Sequence, residues 1–399
     1  MFGLTALECY IVIVAVFAVV YWLTPRKNVW LPFVFIVIGF TVLAYNMTPA
    51  ESDDVSRYFK ALNEMRAGGY DTLQRYIEEN QFDFKTFRVA AYYIYFLSKL
   101  PVNNFLPATT IFIVYALAFY VIYKAANRFN VQKSYLFFAV MFFVSTYWYY
   151  DTASGTRNGI AFAVALACAY QHLVERKNIV LCYVGYFLAA LMHSAGILPV
   201  VLVLIAELTL NTSGKFLNFV LIFGLAGGGV LIKYLANISD NSFIQAIAGK
   251  AESHGIGSSL ETGTMFRVNL TVLLILIILL IYFSHYFLHS DYTNDLKRLY
   301  KYMSIVVYFC IGSTLSGLIF VRFARWILPV LGALFFMIGM QIQRDQIEKD
   351  GIAYYKYYAP LNQSVRVRIQ PVIYIIYVAY TAVHFWYALN GSSLIWLHF

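Results

Sequence analysis

Stretches of about 20 apolar residues recur along nearly the whole of this chain. Each is long enough to cross a hydrocarbon core of roughly 30 Å as an α-helix. Lipid offers the backbone no hydrogen-bond partner, so a crossing segment must satisfy its own amide groups, and unbroken apolar runs of this length do so as helices rather than strands. Only 12% of the residues are charged, 61% are hydrophobic, and mean hydropathy is +0.66. A soluble domain, about a quarter charged, is excluded. The runs fall near 6–23, 29–46, 104–123, 134–150, 157–174, 178–193, 196–210, 216–236, 266–288, 302–320, 324–341 and 371–389. They predict a single all-α polytopic membrane domain over 1–399 with about 12 transmembrane helices, in the range 11–13. The range reflects 178–210, which is either two short spans or one long helix broken at His193-Ser194.

Basic loops stay in the cytoplasm, so lysine and arginine set the orientation. An external N-terminus places Arg26/Lys27, Lys124/Arg128/Lys133, Arg176/Lys177, Lys215, Lys297/Arg298/Lys301 and the loop with Arg344, Lys349, Lys356, Arg366 and Arg368 inside. The formal net charge of +9 then falls on the cytoplasmic face. It reads as topology and contact with anionic membrane lipids, with no implication of nucleic acid. The first apolar run follows a short N-terminus without a basic residue and ends at Thr24-Pro25-Arg26-Lys27 without a small-residue cleavage site, so it is expected to be the first span rather than a cleaved signal. Cys9, Cys168, Cys182 and Cys310 fall in apolar runs without motif spacing, which suggests neither a disulfide framework nor a zinc site.

Two large external segments result. The loop 47–103 contains TFRVAAYYIYFLSKLP, too short and tyrosine-rich for a span and expected to form an amphipathic or re-entrant helix. The loop 237–265 contains GKAESHGIGSSLETGT, with the glycine and serine content of a lid. On the inner side, 343–370 is basic and aromatic and is expected to lie on the leaflet.

This orientation turns scattered polar residues into one external set. Asp53, Asp54, Arg57 and Tyr58 follow the second run, Arg157 opens the fifth, His193 closes the sixth, Arg267 opens the ninth, and Arg322 and Arg325 flank the junction of the tenth and eleventh. A charge placed in a span is costly, and an arginine there calls for an anionic partner. The planar guanidinium binds phosphate oxygens in bidentate fashion and keeps its charge. Plainer readings stand beside these. Arg322 and Arg325 could snorkel to headgroups, although a spacing of three aims both along one helix face. Arg157 could be a span-flanking charge, His193 a buried hydrogen-bonded histidine, and Asp53 or Asp54 the cap of the helix that follows. No nucleotide-binding loop, HExxH site or ladder of intramembrane carboxylates is present in the sequence.

The order AESDDVSRYF after the second run, GTRNGIAFAVALA opening a span, ALMHSAGILPV farther on and a late VRFARWILPV resembles the EpsG-like branch of the Wzy-type polysaccharide polymerases. The likeness extends from Asp53 to Pro329, carried by order and spacing rather than by any single motif. It implies a GT-C-like helical architecture with external re-entrant or amphipathic helices, in a bacterial inner-membrane enzyme with its active site facing the periplasm. It also implies that donor and acceptor are glycans linked to undecaprenyl pyrophosphate, and that a flippase and a chain-length regulator are partners. Asp53, Asp54, Arg57, Arg157, His193, Arg322 and Arg325 match by position.

The expected reaction breaks the bond from the donor's anomeric carbon to pyrophosphate while a hydroxyl of the acceptor unit attacks. Arg157, Arg322 and Arg325, with Arg57 and Arg267 as further phosphate-binding residues, would stabilise the leaving group, each such donor contributing about 3 to 4 kcal/mol. His193 is the first choice of base and Asp53 or Asp54 the second. If Asp54 is the base, His193 orients the acceptor. No metal or other cofactor is expected. Three alternatives stay open: a GT-C transferase using a polyprenyl-monophosphate sugar, an enzyme like the O-antigen ligases, and a flippase for lipid-linked oligosaccharides.

Overall fold

The computed structural model describes residues 5–49, 54–210, 264–289, 294–314, 317–351 and 361–390. Among these the protein is helical throughout, with no β-strand element. Six helices among the described residues are long and apolar enough to cross a membrane: Ala6–Leu23, Arg26–Tyr45, Phe105–Arg128, Thr264–Leu288, Ile319–Asp350 and Ser364–Leu389. The run expected at 216–236 and most of the loop 237–265 lie outside the described residues.

The chain forms two compact units, Met1–Val200 with Tyr374–Phe399, and Val201–Ile373. In the first, α1 (Ala6–Leu23) starts from a capping box in which Thr5 and Glu8 satisfy each other's exposed amides, and it stops at Thr24, before Pro25. The next helices are α2 (Trp30–Tyr45), α3 (Asp54–Glu78), α4 (Arg88–Ser98) and α5 (Phe105–Arg128). The three spanning helices α1, α2 and α5 share an aromatic core. Tyr10 stacks on Phe40 at 5.1 Å and Phe40 meets Tyr115 edge-on at 5.1 Å. Helices in lipid gain nothing from further hydrophobic transfer, so packing of this kind and hydrogen bonds hold them together. Here tyrosine hydroxyls supply the bonds: Tyr10 donates to the Val144 carbonyl, Tyr21 to Lys133 and Tyr149 to Phe40.

Both ends of the antiparallel α2–α5 pair are tied. Arg26 donates to the Ala126 carbonyl and the Asn127 side chain at one end, and Asn104 donates to the Tyr45 and Met47 carbonyls at the other. Near the first end, Lys133 at the start of α6 (Lys133–Thr146) donates to the Trp22 and Thr24 carbonyls. Arg26, Lys27, Arg128 and Lys133 therefore gather at one end of this unit, the distribution the basic loops predict.

The segment 54–98 leaves the opposite end. Helix α3 is amphipathic and bends at Gly69, whose φ of 64° is open to glycine without penalty. Helix α4, read from TFRVAAYYIYFLSKLP, has 11 residues, about 16 Å of helix and half of what a span requires. After α7 (Tyr149–Ser154) and α8 (Thr156–Tyr170), the stretch 178–210 is broken: α9 (Ile179–Met192) stops at an extended His193, a single 3-10 turn covers Ser194–Gly196, and α10 (Ile197–Leu208) follows.

In the second unit, α11 (Thr264–His289), α12 (Asn294–Ser313) and α13 (Gly317–Asp350) precede α14 (Leu361–Asn390), which ends in the first unit. Helices α11 and α13 run parallel: Phe266 meets Phe320 at 5.3 Å near their starts, and farther along Gly339 leaves room only for the Phe283 ring. Gln343, fully buried on α13, donates to the hydroxyls of Tyr282 and Tyr286, each at 2.9 Å. Residues 343–350 continue α13 and 361–370 begin α14, so the segment expected to lie on the leaflet belongs largely to two long helices.

Candidate functional site

At the end of the first unit away from the basic cluster, the loop 80–87 meets two of the expected site residues. Asn80, Phe82 and Asp83 have φ of 54°, 53° and 57°. Asparagine and aspartate enter the left-handed region readily, but a phenylalanine there is strained by about 1 to 2 kcal/mol and persists only where its surroundings hold it. The Phe82 ring lies 4.9 Å from Tyr58, 5.4 Å from Phe84 and 6.1 Å from Tyr76. Its carbonyl accepts a hydrogen bond from the Arg157 guanidinium.

Arg157 stands in the first turn of α8, after Gly155, where the helix amides have no internal partner and the end of the helix dipole is positive. Its guanidinium lies 5.7 Å from the centre of the Tyr58 ring. Burial pushes the Tyr58 hydroxyl above its ordinary range, and the positive charge of Arg157 opposes that rise. Asp54 and Arg57 form an exposed ion pair in the first turn of α3. Asp53 lies outside the described residues.

His193 is reached from the same loop, its ring stacked on Phe87 at 5.9 Å. Its Nδ1 accepts the Ala195 amide at 3.1 Å. A backbone amide can only donate, so the neutral ring carries its proton on Nε2 and presents a donor there. The turn that fixes this geometry is tight. A Cβ at Gly196 would fall 2.5 Å from the Ala189 carbonyl oxygen and 3.1 Å from the Ala161 Cβ. Gly196→Ala is expected to lower stability by about 1 to 3 kcal/mol, read as a fall in the thermal midpoint of the detergent-solubilised protein. An unchanged midpoint would mean that the turn relaxes without penalty.

The remaining arginines belong to the second unit. Arg267 is exposed near the start of α11, and Arg322 is exposed near the start of α13, two residues beyond the Phe320 that meets Phe266. Arg325 is half-buried one turn later, its guanidinium 4.8 Å from the Trp326 ring. Both Arg322 and Arg325 lie inside one continuous helix rather than at a junction of two, because the run expected at 302–320 divides: α12 ends at Ser313 and α13 begins at Gly317. Asp54, Arg57, Arg157 and His193 thus share one end of the first unit, and Arg267, Arg322 and Arg325 share one end of the second.

Phe82 and Phe87 were not expected from the sequence. The signal was faint: an Asn-Gln-Phe-Asp run, in which two residues tolerant of positive φ flank an aromatic.

No curated protein and no solved structure matches the chain. A model of the EpsG family matches residues 29–395, nearly the whole length, and the chain therefore belongs to the EpsG family of Wzy-like polysaccharide polymerases.

Proposed function

We propose that the protein polymerises oligosaccharide repeat units carried on undecaprenyl pyrophosphate, by glycosyl transfer at the outer face of the bacterial cytoplasmic membrane. The observation that carries this reading is the loop 80–87, which braces Arg157 through the Phe82 carbonyl and His193 through the Phe87 ring. An anion-binding group and a polar donor are held together there, at the end of the unit opposite its basic cluster. Membership of the EpsG family supports the polymerase class.

In the proposed step an acceptor hydroxyl oxygen forms a bond to the donor's anomeric carbon. The bond from that carbon to the pyrophosphate oxygen breaks, and its electron pair leaves with the pyrophosphate. The hydroxyl proton passes to a carboxylate. Arg157 holds the departing oxygens, aided by the positive end of α8. Arg322 and Arg325, with Arg57 and Arg267 as lesser contributors, are assigned to phosphate oxygens of the lipid-linked substrates. His193 has its Nδ1 occupied, so the base falls to Asp54 or Asp53, and the Nε2 proton of His193 orients the acceptor.

The test is a purified protein given a defined undecaprenyl-pyrophosphate repeat unit in detergent, without metal or nucleotide. A ladder of repeat units is expected. A single added sugar would point to a monophosphate-dependent transferase, and no product with transport intact would point to a flippase. Arg322→Lys and Arg325→Lys are each expected to slow the ladder about tenfold, the loss of one charge-assisted hydrogen bond that lysine cannot replace. Wild-type polymer length in both would remove them from phosphate binding.

A further inference from the structure

A second site lies in the membrane-spanning part of the first unit, apart from the residues assigned to chemistry. Between α2 and α5 runs a groove of about 320 Å³ whose walls are almost wholly apolar. Trp30, Val34 and Ile38 form one side, and Phe112, Ala116 and Tyr120 the other. Its floor is aromatic: Phe33 stacks on Phe119 at 5.4 Å and meets Tyr123 edge-on at 6.2 Å. A ligand pocket is of similar volume at its smaller end, about 300 Å³.

The groove ends at the basic end of the unit. Lys124 stands 5.8 Å from the Tyr120 ring that closes its wall, and Lys27 lies one turn before Trp30. The bonds from Arg26 to Ala126 and Asn127 hold these two helix ends level. Neither Lys27 nor Lys124 has an acidic partner among the described residues, whereas Arg26 is committed to its carbonyl and Glu175 to Arg128 at 3.9 Å. Two ammonium groups without an acidic partner among the described residues, at the basic end of an apolar groove, suit a ligand with an anionic head and a hydrocarbon chain. Trp30, partly exposed at the rim, is the residue type favoured at headgroup depth.

We propose that this groove is a binding site for one anionic phospholipid, with an acyl chain between α2 and α5 and the phosphate at Lys27 and Lys124. The assignment is independent of the glycosyl-transfer reading, since it uses none of the same residues. It concerns a structural lipid at the other face.

Native mass spectrometry tests it on the full-length protein offered phosphatidylglycerol and phosphatidylcholine with identical chains. Retention of phosphatidylglycerol about 30-fold over phosphatidylcholine is expected, from two lysines acting on one anionic head. Lys27→Gln/Lys124→Gln should bring the ratio close to one. Ala116→Phe should remove the retained lipid by filling the groove. As a check that does not depend on that variant folding, bromine-labelled phosphatidylglycerol should quench the fluorescence of the native protein more than that of Trp30→Phe. Equal retention of the two lipids, a preference that survives the lysine changes, or stronger retention of a polyprenyl phosphate than of phosphatidylglycerol would each overturn the proposal.

Discussion

Arg157→Ala should lower the rate of glycosyl transfer about 10²- to 10³-fold, the usual consequence of deleting one preorganised donor to a developing negative charge. The effect is large because this arginine does two things at once. In the proposed step it offers a fork to phosphate oxygens at the start of α8, and its bond to the Phe82 carbonyl holds a strained loop in place. Arg157→Lys separates the two. A lysine keeps a cation above Tyr58 and can still reach a carbonyl, so the thermal midpoint should stay near that of the parent while activity remains low. Polymer of normal length from Arg157→Ala would sink the assignment. Recovery of full activity in Arg157→Lys would reduce the residue to a point charge.

The second large effect concerns His193. Asparagine is among the best residues at a helix N-cap, and its side-chain oxygen can take over the Ala195 amide that Nδ1 now accepts. What asparagine cannot do is place a donor where Nε2 is. His193→Asn is therefore expected to fold with an unchanged midpoint and to lose about 10²-fold in rate, if the Nε2 proton orients the acceptor. His193→Ala should lose the cap as well, with a midpoint lowered by about 1 kcal/mol of cap stability. Equal activity of His193→Asn and the parent would confine the histidine to shaping the turn.

These expectations show where the sequence was informative. Apolar runs found the helices because a span is a local property: the segments 6–23 and 29–46 coincide within a residue with α1 and α2. The end of α13 was less legible. Its apolar run stops near 341, but Gln343, Arg344 and Glu348 are good helix formers and carry the helix to Asp350, with an Arg344–Glu348 pair at 2.6 Å on its surface. For the site, residue type indicated which side chains to consider, and charge placement indicated an end of each unit. The sequence could not reveal that Arg157 reaches a carbonyl 75 residues away, or that a phenylalanine adopts a left-handed conformation to offer it. Such contacts depend on tertiary closure and leave no local periodicity. The part of His193 was obscured for a related reason, since the tautomer of the ring is set by an amide two residues along, in a turn whose shape rests on Gly196 packing against α8 and α9.

The tyrosine bonds of the first unit carry a consequence for the order in which the protein is made. Tyr21 finds its carbonyl 112 residues later and Tyr10 its own 134 residues later, and His384 on α14 reaches back 239 residues to the Ser145 carbonyl. At about 5 to 20 residues per second, α1 waits in the bilayer for roughly 5 to 30 s before α6 emerges. The face of α6 that carries Phe142, stacked on Tyr377 at 4.8 Å, stays open until α14 is inserted. Ribosome-bound chains arrested before 374 should thus hold an incomplete first unit with its early helices already in place. That makes insertion of α14 the step at which chains with a misassembled first unit become distinguishable from correctly packed ones.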